Sequence, residues 1–273
     1  MQHLQAHCRP LLAILLTVAM LATTTGHTSQ QEAQTCAQAL GQNRDIAHDL
    51  LDDELQVLSW NIQKASNDGW AEDLSNFGGG IQLAFIQEAS LQAPIAQTIP
   101  MPLYQAFAAG YTTDSQSTGV LTLSTSSPSL HCNLTAWEPW LGTPKATSIT
   151  EYPLRGREER LLAINMHAVN FAMGLDDFEQ QVHALGELLN EHTGPVIIAG
   201  DLNTWSAGRQ GLVDRFMRRY DLTAVDFTPD LRTTAFGRAL DHIYTRGMAT
   251  RTAQVIPVSS SDHNPLLVRL QIL

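Results

Sequence analysis

Six times in this sequence an apolar run stops at, or starts from, residues that can move a proton or hold a cation. VLSW leads into Asn61, AFIQ into Glu88, LLAI into Asn165 and His167, and VIIAG into Asp201 and Asn203. Asp241-His242 interrupts ALDHIY, and Asp262-His263-Asn264 precedes the closing run PLLVRLQIL. One such residue is ordinarily a cap or a turn former. Six are harder to dismiss, because a carboxylate that leaves water must be paired, hydrogen-bonded or bound to a cation. If the runs are neighbouring strands, their ends converge on one acidic, histidine-bearing pocket.

Oxygen donors of this kind suit hard cations such as Mg²⁺ or Mn²⁺. Zinc chemistry fits poorly, since the chain has no CxxC and no HExxH. There is also no GxSxG elbow and no GxxxxGK[ST] loop. The chemistry left is metal-assisted attack of water on phosphorus.

Strands must carry these residues. Apolar patterning predicts them at 55–62, 83–89, 119–125, 145–154, 160–169, 195–203, 239–247, 252–258 and 265–273. Helices are expected at 68–77, 176–192 and 209–222, with a short one near 37–50. In the 176–192 segment Phe178, Val182, Leu185 and Leu189 share one face, acidic residues open it, and Gly194-Pro195 ends it. Residues 90–110 hold three prolines and read as loop or short helix. No linker marks a boundary, so the pattern is one α/β domain rich in sheet.

Bulk properties narrow the partners. The 273 residues are 44% hydrophobic and 16% charged, with a formal net charge of −11. Such a chain has no general attraction to nucleic acid or anionic membranes. A phosphate-bearing substrate needs a local patch or a bound cation. The arginines of RGREER, RFMRR, Arg232 and Arg238 read mostly as solvated faces, and the chain has only two lysines. Near the N-terminus, Arg9 precedes the apolar run LLAILLTVAMLA. The run is too short to span a bilayer and fits the core of a secretory signal peptide. Residues 1–26 are therefore expected to be a leader, 27–54 a lead-in and 55–273 the functional domain. The product would be periplasmic or secreted; retention as an N-terminal anchor or in the cytoplasm is the alternative. Cys36 and Cys132 remain after the leader, and an even pair in an exported chain permits a disulfide. Two unrelated thiols are the alternative.

Taken in order, WNI, QE, NMH, GDLN, LDHI and SDHNP resemble the endonuclease/exonuclease/phosphatase superfamily, from about Leu55 to the C-terminus. NMHAVNF, GPVIIAGDLNTWS and SSDHNPLLV are similar to its bacterial YafD-like branch. Each motif alone is weak; the ordered set is specific. The resemblance implies a DNase I-like four-layer α/β sandwich, two packed mixed sheets flanked by helices. It implies a phosphoesterase dependent on Mg²⁺ or Mn²⁺, with a phosphodiester as substrate, nucleic acid among the candidates.

The roles it implies are residue by residue. Asn61 and Glu88 would build the metal site, and Asp262 would ligate metal or help fix the site. Asp201 would activate water, with Asn203 contacting the phosphate. His263 would hydrogen-bond the scissile phosphate, with Asp241 orienting a histidine. His167 would protonate the leaving oxygen or contact the phosphate. Asn165 and Lys145 would be phosphate contacts. His131, His183, His192 and His242 read as structural. A lipid phosphodiesterase is an alternative, with TAWEPW (135–140) as its aromatic hairpin; so is a phosphomonoesterase. The non-enzymatic alternative is a phosphate-ligand-binding module. A monomer without a stable protein partner is expected.

Overall fold

The computed structural model describes residues 29–42, 49–170 and 174–273. The expected leader, residues 1–26, lies outside them. The strands are β1 (Glu54–Asn61), β2 (Leu83–Ser90), β3 (Tyr104–Thr112), β4 (Ser117–Ser124), β5 (Leu130–Trp137), β6 (Pro144–Pro153), β7 (Arg160–His167) and β8 (Val196–Asp201). They continue with β9 (Thr223–Ala224), β10 (Thr234–Ala235), β11 (Arg238–Ala239), β12 (Asp241–Arg246), β13 (Met248–Val255) and β14 (Leu266–Ile272). Helices are α1 (residues 29–39), α2 (Trp70–Phe77), α3 (Ile95–Thr98), α4 (Asp176–Glu191) and α5 (Ala207–Arg219).

Two six-stranded sheets form, in the orders β13-β14-β1-β2-β4-β3 and β5-β6-β7-β8-β12-β9. Each is mixed: β1 and β2 run parallel, as do β7 and β8, and the remaining pairs are antiparallel. The two-residue period of a strand sorts their side chains. Leu55, Val57, Leu83 and Phe85 meet Leu161, Ala163, Ile197, Ala199 and Ile243 between the sheets. The alternate residues Leu58, Trp60, Ala84 and Ile86 pack outward with Leu74 of α2 and Ile95 of α3. On the other side Leu162, Ile164, Met166 and Ile198 meet Phe178, Val182, Leu185 and Leu189 of α4 and Leu212, Val213 and Phe216 of α5. Both faces of the central strands are buried, which is why they read as unbroken apolar runs. The four layers match the expected DNase I-like sandwich.

Five strands were not expected: the two-residue β9, β10 and β11, and two longer ones. β3 begins only after Pro102 and shows the weak burial pattern of an edge strand. β5 is the opposite case of the same problem: an edge of the second sheet, half exposed along its length. β3 (YQAFAAGYT) lacks the strict alternation that marks a strand in sequence, whereas β5 (LHCNLTAW) carries it but has none of the unbroken apolar run of a central strand. The helix expected near 37–50 lies earlier, at 29–39, and residues 43–48 fall outside the described set. α1 is no loose lead-in, since Ala33, Cys36 and Ala37 join the core beside α4. A disulfide between Cys36 and Cys132 ties it to β5, with Cα atoms 6.0 Å apart.

Candidate active site

Parallel pairing brings β1 with β2, and β7 with β8, to the same end of the molecule. Antiparallel β12 starts there. Register then aligns three polar residues: His167 pairs with Asp201, and Asp201 with Asp241. Gly200 makes this possible. Its φ is +142°, and a Cβ there would sit 2.0 Å from the Met166 carbonyl oxygen.

The last loop is stitched to the end of β1. Trp60 Nε1 donates to the His263 carbonyl at 2.9 Å. Ser261 Oγ donates to the Asn61 carbonyl at 2.7 Å and accepts from His263 N at 3.1 Å. This turns His263 inward, where Nδ1 lies 2.7 Å from Asp241 Oδ2 and Nε2 lies 3.9 Å from Asp201 Oδ2. Asp201 Oδ2 also accepts from Asn61 Nδ2 at 3.1 Å, and Oδ1 from Asn203 N at 3.0 Å. His167 Nε2 stands 3.6 Å from Asp201 Oδ2 and 4.0 Å from Glu88 Oε1. Lys145 Nζ reaches the same nitrogen at 3.0 Å; an ammonium can only donate, so Nε2 accepts.

These neighbours shift the titrations. Burial works against charge on His263, but Asp241, Asp201 and Asp262 outweigh it and push the imidazole up to about 10. Burial, with Asp241 beside it, pushes Asp201 up to about 7, against the pull of His263, Asn203 N and Asn61. Burial, Lys145, His263 and Lys64 together hold His167 well below the ordinary imidazole range. At neutral pH the site therefore contains an imidazolium at 263, a neutral ring at 167 and a carboxyl at 201 poised to exchange a proton.

Strain gathers at the same place. Gln63, Lys64, Ala65, Glu88 and Asn203 all have positive φ, between 49° and 62°. Each costs a non-glycine residue roughly 1–2 kcal/mol.

The donors present fit a hard divalent cation. Asp201, Asp241 and His263 offer ligand atoms within 4.8 Å of one another, a cluster that could hold a metal ion. Within it Asp241 and His263 are engaged with each other at 2.7 Å, and both Asp201 oxygens accept hydrogen bonds, from Asn61 Nδ2 and Asn203 N. Glu88 sits at the irregularity of β2, next to Gln87, the partner of Asn61, and has no hydrogen-bond partner among the described residues, only His167 at 4.0 Å. Carboxylate and amide oxygens in this setting suit Mg²⁺ or Mn²⁺ better than zinc.

Two expected site residues do not join the pocket. Asp262 is exposed, because the turn that points His263 inward points its neighbour out; it acts on His263 only through space. Asn165 is fully buried between the sheets. Its Oδ1 accepts from Gln87 Nε2 at 2.8 Å, and its Nδ2 donates to Leu121 O at 3.1 Å and Thr122 Oγ1 at 3.3 Å. It ties β7 to β2 and β4 and cannot also reach a substrate.

Residues 58–263 match the endonuclease/exonuclease/phosphatase family. The chain belongs to this family. A UPF0294 protein of Erwinia tasmaniensis is 40% identical over 219 residues, covering 80% of this chain and 81% of the relative. Among solved structures, a mannosyl-6-phosphatase of Bacteroides thetaiotaomicron is similar with a TM-score of 0.60 and 16% identity, over 79% of this chain and 99% of that one. ANGEL2, a 2',3'-cyclic phosphatase, is similar with a TM-score of 0.63 and 12% identity, over 80% of this chain and 96% of that one. At these identities the structures establish the fold. Family membership makes this a phosphoester-acting protein, and among the described residues no helix is long and apolar enough to cross a membrane.

Further residues bear on the family site without any sequence signal. Arg209 opens α5 and is fully buried. It donates to the carbonyls of Val169 at 2.6 Å, Asn170 at 2.9 Å and Asn203 at 3.2 Å, between the rings of Phe178 and Trp205. Burial lowers it to about 10, while Glu138 and Asp201 support its charge. Glu138, 1% exposed, accepts from Asn170 N at 2.8 Å and Thr143 Oγ1 at 3.0 Å and lies 3.9 Å from Lys145. Arg232 is not a solvated face. It pairs with Asp230 at 2.7 Å and donates to the Asp241 carbonyl at 3.3 Å and to His242 Nδ1 at 3.2 Å, while His242 Nε2 meets Thr204 Oγ1 at 2.7 Å.

Proposed function

We propose that this protein is a divalent-metal-dependent hydrolase of phosphodiesters that works by attack of an activated water. The observation that carries this reading is the buried Asp241–His263 pair facing Asp201, at 2.7 Å and 3.9 Å, beside His167 and Glu88. Asn61 and Glu88 would hold the cation. When bound, Mg²⁺ or Mn²⁺ supplies Lewis-acid neutralisation of phosphate charge. Asp201, raised to about 7, accepts the proton of the attacking water near neutral pH. Asn203, fixed by its bond to the Ala168 carbonyl, positions that water against the phosphate. His263, charged and held by Asp241, donates to a phosphoryl oxygen and stabilises the charge that builds there. Lys145, beside neutral His167, is the charged donor toward the leaving oxygen.

A lipid phosphodiester is the second reading, favoured by Trp137, Trp140 and Leu141, which are 47%, 67% and 57% exposed around the β5–β6 turn. The net charge of −11 argues against tight binding of duplex nucleic acid. Export belongs to the same proposal and is supported by the Cys36–Cys132 disulfide. Protein purified from the native host should begin near residue 27 on N-terminal sequencing; a start at Met1 refutes cleavage. For the activity, bis(p-nitrophenyl) phosphate is incubated with Mg²⁺ or Mn²⁺, with and without EDTA. Turnover that EDTA and His263→Ala both abolish, in a folded protein, is expected. A metal-independent rate, or a rate unchanged in His263→Ala, would sink the mechanism.

A further inference from the structure

The chain contains only two lysines, Lys64 and Lys145. They are 81 positions apart, on the turn after β1 and at the start of β6, yet both line one cleft of about 280 Å³. Glu88 and His167 form the inner end of that cleft, and Tyr111 and Leu141 its outer walls. In a chain with a formal net charge of −11, this is a marked placement of positive charge.

Several cations elsewhere among the described residues are already engaged. Arg155, Arg157, Arg232 and Arg269 pair with Asp52, Asp53, Asp230 and Glu54. Arg209 and Arg246 are spent on backbone carbonyls. Lys145 is committed to the catalytic end through His167 at 3.0 Å. Lys64 has no ion pair or side-chain hydrogen bond among the described residues and is exposed.

Backbone geometry reinforces the point. Lys64 has φ +62° between Gln63 at +49° and Ala65 at +55°. Three successive left-handed residues are costly for side chains with a Cβ, and glycine or asparagine would relieve them. Asn61 Oδ1 anchors this turn by accepting from Gln63 N at 3.1 Å, so the strained turn is tied to the metal end of the site. Of the two carboxylates on the cleft, Glu138 is buried and lies 3.9 Å from Lys145, offsetting that lysine in part, and Glu88 lies 4.0 Å from His167; neither forms an ion pair with Lys64.

We propose that the cleft between Lys64 and Lys145 is a subsite for a second anionic group of the substrate. That group is a phosphate or carboxylate a few bonds from the scissile phosphate. The preferred substrate is then a compact, doubly anionic phosphoester. Its carbon frame lies against Tyr111 and Leu141, which are 49% and 57% exposed. The volume, at the small end of ligand pockets, sets the compactness. This rests on the phosphoesterase reading above.

The test compares two ligands of one skeleton, glycerol 3-phosphate and 3-phosphoglycerate, by calorimetry at fixed Mg²⁺. The second carries one more anion. Wild-type protein should bind it on the order of tenfold more tightly. Lys64→Gln should erase that preference and Lys64→Arg keep it. Arg251→Gln, which removes an exposed charge from edge strand β13, should also leave it in place. Equal wild-type affinities, or a preference that survives Lys64→Gln, overturn the subsite. Hydrolysis of bis(p-nitrophenyl) phosphate by the same preparations separates the two claims. Turnover without the preference defeats the subsite alone, and the preference without turnover defeats the phosphoesterase reading alone.

Discussion

Replacing Asp241 by asparagine tests the electrostatic core of the site. The change keeps the shape of the side chain and removes its charge. His263 rises from 6.5 to about 10 although it is buried, which corresponds to roughly 5 kcal/mol favouring the imidazolium. Asp241 is the largest favourable contributor and, at 2.7 Å, the only carboxylate in direct hydrogen-bond contact with the ring. Its removal should forfeit about half of that or more, since burial then acts with less opposition. His263 in Asp241→Asn should therefore titrate about two units lower, near or below pH 8. The assay is NMR titration of isotope-labelled histidine, with His263→Gln used to assign the resonance. On the proposed mechanism kcat should fall by about 10²–10³, the loss typical of one charged donor to a phosphoryl oxygen. A His263 that still titrates near 10 would show that Asp241 does not set its charge.

Stability of the metal-free protein should peak near pH 6.5. His242, lowered by burial and Arg232 to about 3, and His167 and His192, both lowered mainly by burial, are neutral when folded. Their contribution is lost as pH falls below 6.5, outweighing the opposite effect of Asp201, whose raised carboxyl favours the folded state at lower pH. His263 is raised, so its contribution is full below 6.5 and is lost as pH climbs through about 10. Urea unfolding at pH 5, 6.5 and 9 checks both limbs. Arg209→Met strips donors from three buried carbonyls and should cost about 2–4 kcal/mol in the same assay; a loss under ~1 kcal/mol would mean water replaces the guanidinium. Reducing Cys36–Cys132, which closes a separation of 96 residues, should lower stability by roughly 4–5 kcal/mol, checked by unfolding with and without reductant after thiol counting. Glu88→Gln should weaken Mn²⁺ binding by at least about tenfold in calorimetry, and unchanged affinity would remove Glu88 from the metal site.

Much of the architecture was legible because it is local. Central strands buried on both faces leave unbroken apolar runs, and α4 shows its buried stripe at helical spacing. Polar residues closing those runs stand out against them, which is how Asn61, Glu88, His167, Asp201, Asp241 and His263 were found. Edge strand β3 left no such trace, since one side meets solvent and its small residues dilute the alternation; β5 does alternate, as LHCNLTAW, but lacks the unbroken apolar run of a central strand.

Direction and partnership were decided only by the tertiary structure. Asp262 and His263 are adjacent and equally polar in sequence, yet the bonds from Trp60 and Ser261 send one inward and leave the other in solvent. Asn165 looks like a site residue until β2 and β4 cross behind it and consume its amide. Arg209 carries no signal in the sequence, yet carbonyls from two separate loops, Val169 and Asn170 on one and Asn203 on the other, surround its guanidinium. Lys64 and Lys145 are unrelated in sequence until two sheets set them across one cleft. The reason is common to all four. Whether a polar group is buried, and at what cost, depends on which distant groups satisfy it, and that pairing is a property of the packed sheets and not of any single segment.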